Sequence, residues 1–190
     1  MIEILDLSLN MFGMLFGANL SIALFYHYFA VETDEQRGQV VGTTLGASTA
    51  LGLLGAAVGI STAGHISQFV LQTPNHSTHF TIMFLSFAAT LPLETCFYWL
   101  KAINQSGLFV ASSIARLVLQ IPLTFLLLVS LQMSITGVLL SNLIATAVLA
   151  VGLCIFCISK IQFSLDRKLA IRLFRYSIPV TLTGAANFTI

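Results

Sequence analysis

Long apolar runs alternate with short polar connections along the whole chain. Windows of about 20 residues, enough at 1.5 Å per residue for a hydrocarbon core of about 30 Å, mark five spans and the start of a sixth. They are Leu7 to Ala30, Val40 to Ser61, Phe80 to Leu100, Leu108 to Leu131 and Thr136 to Ile158, then Ile178 onward. The connections read "VETDEQRGQ", "QTPNHSTH", "KAINQSG" and "QMSI", followed by the longer amphipathic "SKIQFSLDRKLAIRLFRYS". None has room for a soluble catalytic domain. The pattern predicts an all-α fold, a polytopic transmembrane helix bundle. Pro92 and Pro122 fall inside the third and fourth spans, where a missing backbone N–H kinks a helix. The second span is rich in small residues, with Gly42, Gly46, Gly52, Gly55, Gly59 and Gly64, which predicts close helix packing.

Composition agrees with the pattern. The chain is 57% hydrophobic and 8% charged, with a mean hydropathy of +0.94. A soluble domain carries about three times that share of charge. The net charge of +1 says nothing about nucleic acid, no such partner is expected, and the placement of the basic residues matters more than their sum.

Arg37 lies in the first connection and Lys101 at the third. Lys160, Arg167, Lys168, Arg172 and Arg175 lie in or beside the fifth. The second and fourth connections hold no Lys or Arg, so the positive-inside rule makes the odd connections cytoplasmic and the even ones external. The first span then starts outside, yet its leader "MIEILD" is acidic and lacks a signal peptide's basic region. At the other end, the run from Ile178 to Ile190 is about 20 Å as helix, too short to span alone. Pro179 is expected in the first turn of that helix. Both ends therefore read as cuts, and the missing remainder of the same chain is an expected partner.

The stretch "ALFYHYFAVETDEQRGQVVGTTL" resembles the junction of the second and third helices of oligosaccharide flippases that export O-antigen and capsule. "LAIRLFRYSIPVTLTGAANF" is similar to the start of the seventh helix of such proteins. The resemblance implies the superfamily that also holds multidrug extruders and lipid II flippases. Under it, residues 1–170 are a first-half bundle lacking its first helix, and 171–190 begin a second half. It further implies a bacterial cytoplasmic (inner) membrane location, alternating access, and a lipid-linked oligosaccharide partner within the membrane lipid. Flippases often carry an Arg at the end of the second helix. Here that place reads Phe25, Tyr26, His27, Tyr28, Phe29, and no permanent cation stands among them. Tyr26 and His27 are candidates for substrate contact or members of an interfacial aromatic belt.

Two charges fall inside spans. Glu94 sits in "TLPLETCFYWLK" and Arg116 in "VASSIARLVLQIP". A charge at membrane depth costs at least about 2.5 kcal/mol and so faces the bundle or a wet cavity. Each lies about nine residues in from the connection they share, so the two are at similar depth. Two readings are open. Glu94 and Arg116 form an ion pair that fixes helix register, or Arg116, with Lys101, faces a cavity and binds a diphosphate while Glu94 tunes it or carries a proton. The planar, always-charged guanidinium suits phosphate oxygens.

Other signals point away from chemistry. Cys154 and Cys157 form a CxxC inside an apolar span, which predicts inert thiols, as for Cys96. His65, His76 and His79 gather near an external connection without an accompanying carboxylate or thiol, so no metal is expected. The Asn75 and Asn104 triplets carry little weight as acceptors for sugar. No P-loop, Gly-x-Ser-x-Gly or dinucleotide fingerprint occurs. Neither an enzyme nor a cofactor is expected. Two alternatives to the flippase stand: a cation-coupled multidrug extruder using Glu94, and a non-transporting assembly protein that binds partner helices through its Gly-rich span.

Overall fold

A computed structural model of the chain describes residues 19–71, 77–130, 132–161 and 166–187. They form α1 (Leu20–Ala30), α2 (Asp34–Leu71), α3 (Ser77–Ala102), α4 (Ser106–Phe125), a π-helical turn (Leu126–Ser130), α5 (Ser134–Lys160) and α6 (Arg167–Asn187). The fold of the described residues is all-α. Among the described residues, four helices are long and apolar enough to cross a membrane: α2, α3, α4 with its π turn, and α5. The acidic leader, the first part of the first span, His76 and Asn75 lie outside the described residues.

Local chemistry sets the helix ends. Thr33 Oγ1 accepts the N–H of Gln36 at 3.4 Å, a capping pair ahead of Asp34 and Glu35, whose charges suit the positive end of the α2 dipole. Asp166 accepts the N–H of Lys168 at 2.8 Å and so starts α6. The turn between α3 and α4 holds Asn104 at φ 55°, a left-handed conformation that Asn tolerates. Lys101 and Lys160 close the last turns of α3 and α5.

One expectation changes. The basic run before Pro179 is not a connection: α6 begins at Arg167 and continues through Pro179, which lies in its interior and not in its first turn. The carboxylate cap of Asp166 moves the helix start upstream of where hydropathy alone begins it.

Packing centres on α3, which lies against α2, α5 and α1, while α4 leans chiefly on α5. At one end, Leu24, Val41, Leu45, Trp99, Leu100 and Cys157 form a buried cluster; Phe80, Met83, Phe84 and Ala63 form a second. The Gly-rich span does what its composition predicts. A Cβ on Gly52 would stand 2.8 Å from the carbonyl oxygen of Ala88 and 3.1 Å from its Cα, so α2 and α3 touch backbone to backbone there.

The basic connections gather at one end. A cavity of about 460 Å³ there is lined by Tyr28, Asp34, Arg37, Trp99, Ile103 and Lys160, drawn from α1, α2, the α3–α4 turn and the end of α5. The first turns of α3 and α5 meet at the other end, where Thr136 Oγ1 and His79 Nε2 lie 3.2 Å apart. This is the alternation the loops predict.

Gly52→Ala should therefore lower the midpoint of thermal unfolding in detergent, at a cost of about 1–3 kcal/mol for overpacking. Gly64→Ala, with nothing within 4 Å of the added carbon, should be neutral or raise it by up to about 1 kcal/mol. The fluorescence of the single tryptophan, Trp99, which is buried, reports both.

Candidate functional site: a polar seam inside the membrane span

The outer face of α4 is apolar and open. Val110, Ile114, Leu117, Val118, Ile121 and Phe125 are all at least half exposed. Among its half-buried positions, Ser113, Arg116, Gln120 and Thr124 recur at helical spacing and form a polar stripe, with Phe109 and Leu123 half-buried beside it. This is a helix with its polar stripe turned inward, as a hydrocarbon surround requires.

The stripe meets a matching one on α5. Arg116 Nη2 donates to Asn142 Oδ1 at 3.1 Å. About two turns of α4 further from the charged end, the hydroxyls of Thr124 and Ser141 lie 2.6 Å apart. Thr124 also reaches the carbonyl oxygen of Gln120 at 2.8 Å, and Ser141 that of Val138 at 2.8 Å. Pro122 interrupts α4 beside Thr124, and the π-helical turn follows at Leu126. Among the described residues the Arg116 Nε and the Thr146 hydroxyl are buried without a hydrogen-bond partner.

Arg116 and Glu94 do not form an ion pair. The ion pair among the described residues is Arg37 with Asp34, at 3.3 Å on the exposed start of α2. Glu94 is exposed, and the charge that acts on it is that of Arg116. The physical reason is helix arrangement. Near their shared turn α3 and α4 touch, with the Phe97 and Phe109 rings 5.1 Å apart, but deeper in α4 packs against α5. Equal depth thus brings the two charges into range without bringing them into contact.

The other predicted residues stand apart from this seam. Lys101 is exposed at the charged end, its Nζ 4.9 Å from the Tyr98 ring centre and 4.6 Å from that of Phe109, a cation–π position. Tyr26 is exposed and stacks on Tyr176 of α6 at 4.9 Å. His27 Nδ1–H donates to the carbonyl oxygen of Ala23 at 3.0 Å and meets the Tyr176 ring edge-on at 5.7 Å. None of the five lines the charged-end cavity or the apolar groove of about 630 Å³ between α2, α3 and α5.

Asn142, Ser141 and Thr124 were not singled out from the sequence. Their signal is the i, i+4, i+8 recurrence of Arg116, Gln120 and Thr124, which marks one face of α4. The thiols also pair otherwise than by spacing: Cys96 Sγ lies 3.8 Å from Cys154 Sγ, across α3 and α5. Among the described residues no group of three or more His, Cys, Asp or Glu is placed to hold a metal ion.

No protein-family model matches the chain, and no curated protein or solved structure is significantly similar to it. Its class follows from the fold: an all-α protein whose four long apolar helices are the mark of a multi-pass membrane protein.

Asn142→Leu should strip the guanidinium of its acceptor and destabilise the fold by about 1.5–3 kcal/mol. Arg116→Met with Asn142→Leu should cost less than Asn142→Leu alone. Unfolding of the three variants in detergent forms the double-mutant cycle that checks this; strict additivity would mean that the two side chains do not interact.

Proposed function

We propose that these helices are one bundle of a transporter that flips a lipid-linked oligosaccharide, a polyprenyl-diphosphate sugar, across a bacterial cytoplasmic membrane for surface-polysaccharide synthesis. The observation that carries the reading is the state of Arg116. It is a permanent cation on an otherwise lipid-facing helix, bonded to a neutral amide and not to a carboxylate. Its Nε is buried without a partner, so the guanidinium keeps donor capacity for an anion.

In this mechanism two helix bundles rock about a central path, and the sugar head crosses while the isoprenoid tail stays in lipid. Arg116 compensates the diphosphate as it leaves water. Glu94, within range of the same charge, returns the cation to a neutral balance when the diphosphate departs. The residues quoted from α1 to α2 and from α6 support the family by likeness of sequence. The partner would be the lipid-linked sugar, and no cofactor takes part.

A second reading draws on Glu94, an exposed carboxylate in a span with no ion pair, the residue a cation-coupled extruder would use. The two readings separate in one experiment on the full-length protein in cells lacking their own flippase. Arg116→Ala and Arg116→Glu should cut surface polysaccharide by about tenfold or more, since a charge-assisted bond to phosphate is worth about 1.5–3 kcal/mol. Arg116→Lys should keep part of the activity, and Glu94→Gln most of it. Normal display with Arg116→Glu contradicts the proposal; loss of drug export with Glu94→Gln alone supports the extruder.

A further inference from the structure

The first half of α6 carries Arg167, Lys168, Arg172 and Arg175, and all four are exposed. Their spacing is the reason. Positions 168, 172 and 175 recur at i, i+4 and i+7 and share one face. The other face is apolar: Leu173 is fully buried against Leu20 and Ala23, with Leu169, Phe174 and Tyr176 packed beside it.

Two contacts fix this helix, its start against α2 and its middle against the last turns of α1. The backbone N–H of Asp166 donates to Thr43 Oγ1 at 3.1 Å. Tyr176 stacks on Tyr26, which with His27 belongs to the last turns of α1. Moving from Leu173 to Tyr176, α6 passes from Leu20 and Ala23 to Tyr26 and His27, back toward the end where Arg37 lies. Arg175, next to Tyr176, is thereby held near that end, while Leu173 and Phe174 pack beside Ala47 and Leu51 of α2.

Beyond the Asp166 carboxylate that caps the helix, the cations have no counter-charge of their own. From Arg167 to Asn187 there is no Asp or Glu, and among the described residues none of the four forms an ion pair. Like charges one turn apart destabilise a helix in water by a few tenths of a kcal/mol per pair. An anionic surface reverses the sign of that term. Ile171, 60% exposed, stands among the cations, where water disfavours it and the boundary between headgroups and acyl chains does not.

We propose that this face of α6 binds anionic phospholipid headgroups of the leaflet at the charged end, which the positive-inside rule makes cytoplasmic. The ligand is a phosphodiester without a compensating ammonium. The lipid is favoured over a free anion because Ile171 offers apolar contact that only a lipid can use. The assignment requires membrane insertion alone and does not depend on what the protein transports.

The experiment is native mass spectrometry of the full chain in a neutral detergent titrated with phosphatidylglycerol, with phosphatidylcholine, or with glycerophosphoglycerol, the headgroup without its chains. Phosphatidylglycerol should be retained and phosphatidylcholine should not, with binding that weakens as salt rises. Each cation removed should cost about fivefold, so Lys168→Gln with Arg172→Gln and Arg175→Gln should cost about 100-fold. Arg172→Lys with Arg175→Lys should bind nearly as the parent does, and Lys160→Gln should change little. Ile171→Ser should weaken the lipid and leave any headgroup binding unchanged. Should the triple variant fail to fold, the lysine pair and Ile171→Ser still decide. Equal retention of the two lipids, or parental binding by the triple variant, overturns the proposal. So does equal binding of glycerophosphoglycerol and phosphatidylglycerol, which would assign the face to a soluble anion.

Discussion

In hydrocarbon no water completes a hydrogen bond, so every polar group along a span must be answered from within the chain. The helices of this protein show how far that requirement reaches. Thr44, Ser48, Thr49, Ser86, Thr90, Thr95 and Ser113 each return a hydroxyl to a carbonyl of the preceding turn, at 2.7–3.1 Å. Residues of that kind stay in a membrane helix without needing a neighbour. Close approach of α2 and α3 at Gly52 then supplies packing that apolar burial cannot, because lipid is as apolar as the side chains it would replace.

With the Thr146 hydroxyl, which lacks a hydrogen bond as the Arg116 Nε does, Arg116 is a residue this economy does not absorb. Its own helix cannot neutralise it, and its partner on α5 is an amide in place of a carboxylate. The seam it forms with α5 is accordingly both the glue of a helix with little other support and a place where a positive charge is held at depth. Pro122 and the π turn sit on the same helix, so the element carrying the charge is also the one whose backbone ladder is interrupted. That coincidence is the structural core of the transport reading.

Much of this was legible in the sequence. Four of the five expected spans follow from hydropathy because a fixed hydrocarbon thickness demands a minimum run: α2 to α5 fall on the runs Val40 to Ser61, Phe80 to Leu100, Leu108 to Leu131 and Thr136 to Ile158. Yet α2 extends well past its run at both ends, and the first span is described only from Asn19. The gathering of Arg37 and Lys160 about one cavity follows from the parity of the connections. The lateral order of helices does not. Hydropathy rates α4 above α3, yet 6% of the most apolar window of α4 is buried inside the fold against 56% for α3. Lipid and protein interior are equally apolar to that measure. For the same reason Glu94 and Arg116, matched in depth, were as easily read as a pair; the partner of Arg116 proved to be Asn142, 26 residues on, whose polarity a window average conceals. The start of α6 at Arg167 was hidden by a cap, a single carboxylate that no apolar period announces.

The account stands on four helices that cross a membrane with the basic connections together on one side. Impermeant maleimide labelling of Asn104→Cys and Gln132→Cys, in sealed cells and with Cys96, Cys154 and Cys157 replaced by Ala, tests it most directly. The two positions close opposite ends of α4. Labelling of Gln132→Cys in intact cells, with Asn104→Cys labelled only after permeabilisation, is the predicted result. Labelling of both from the same side would contradict the crossing of α4 and, with it, the burial of Arg116 at membrane depth.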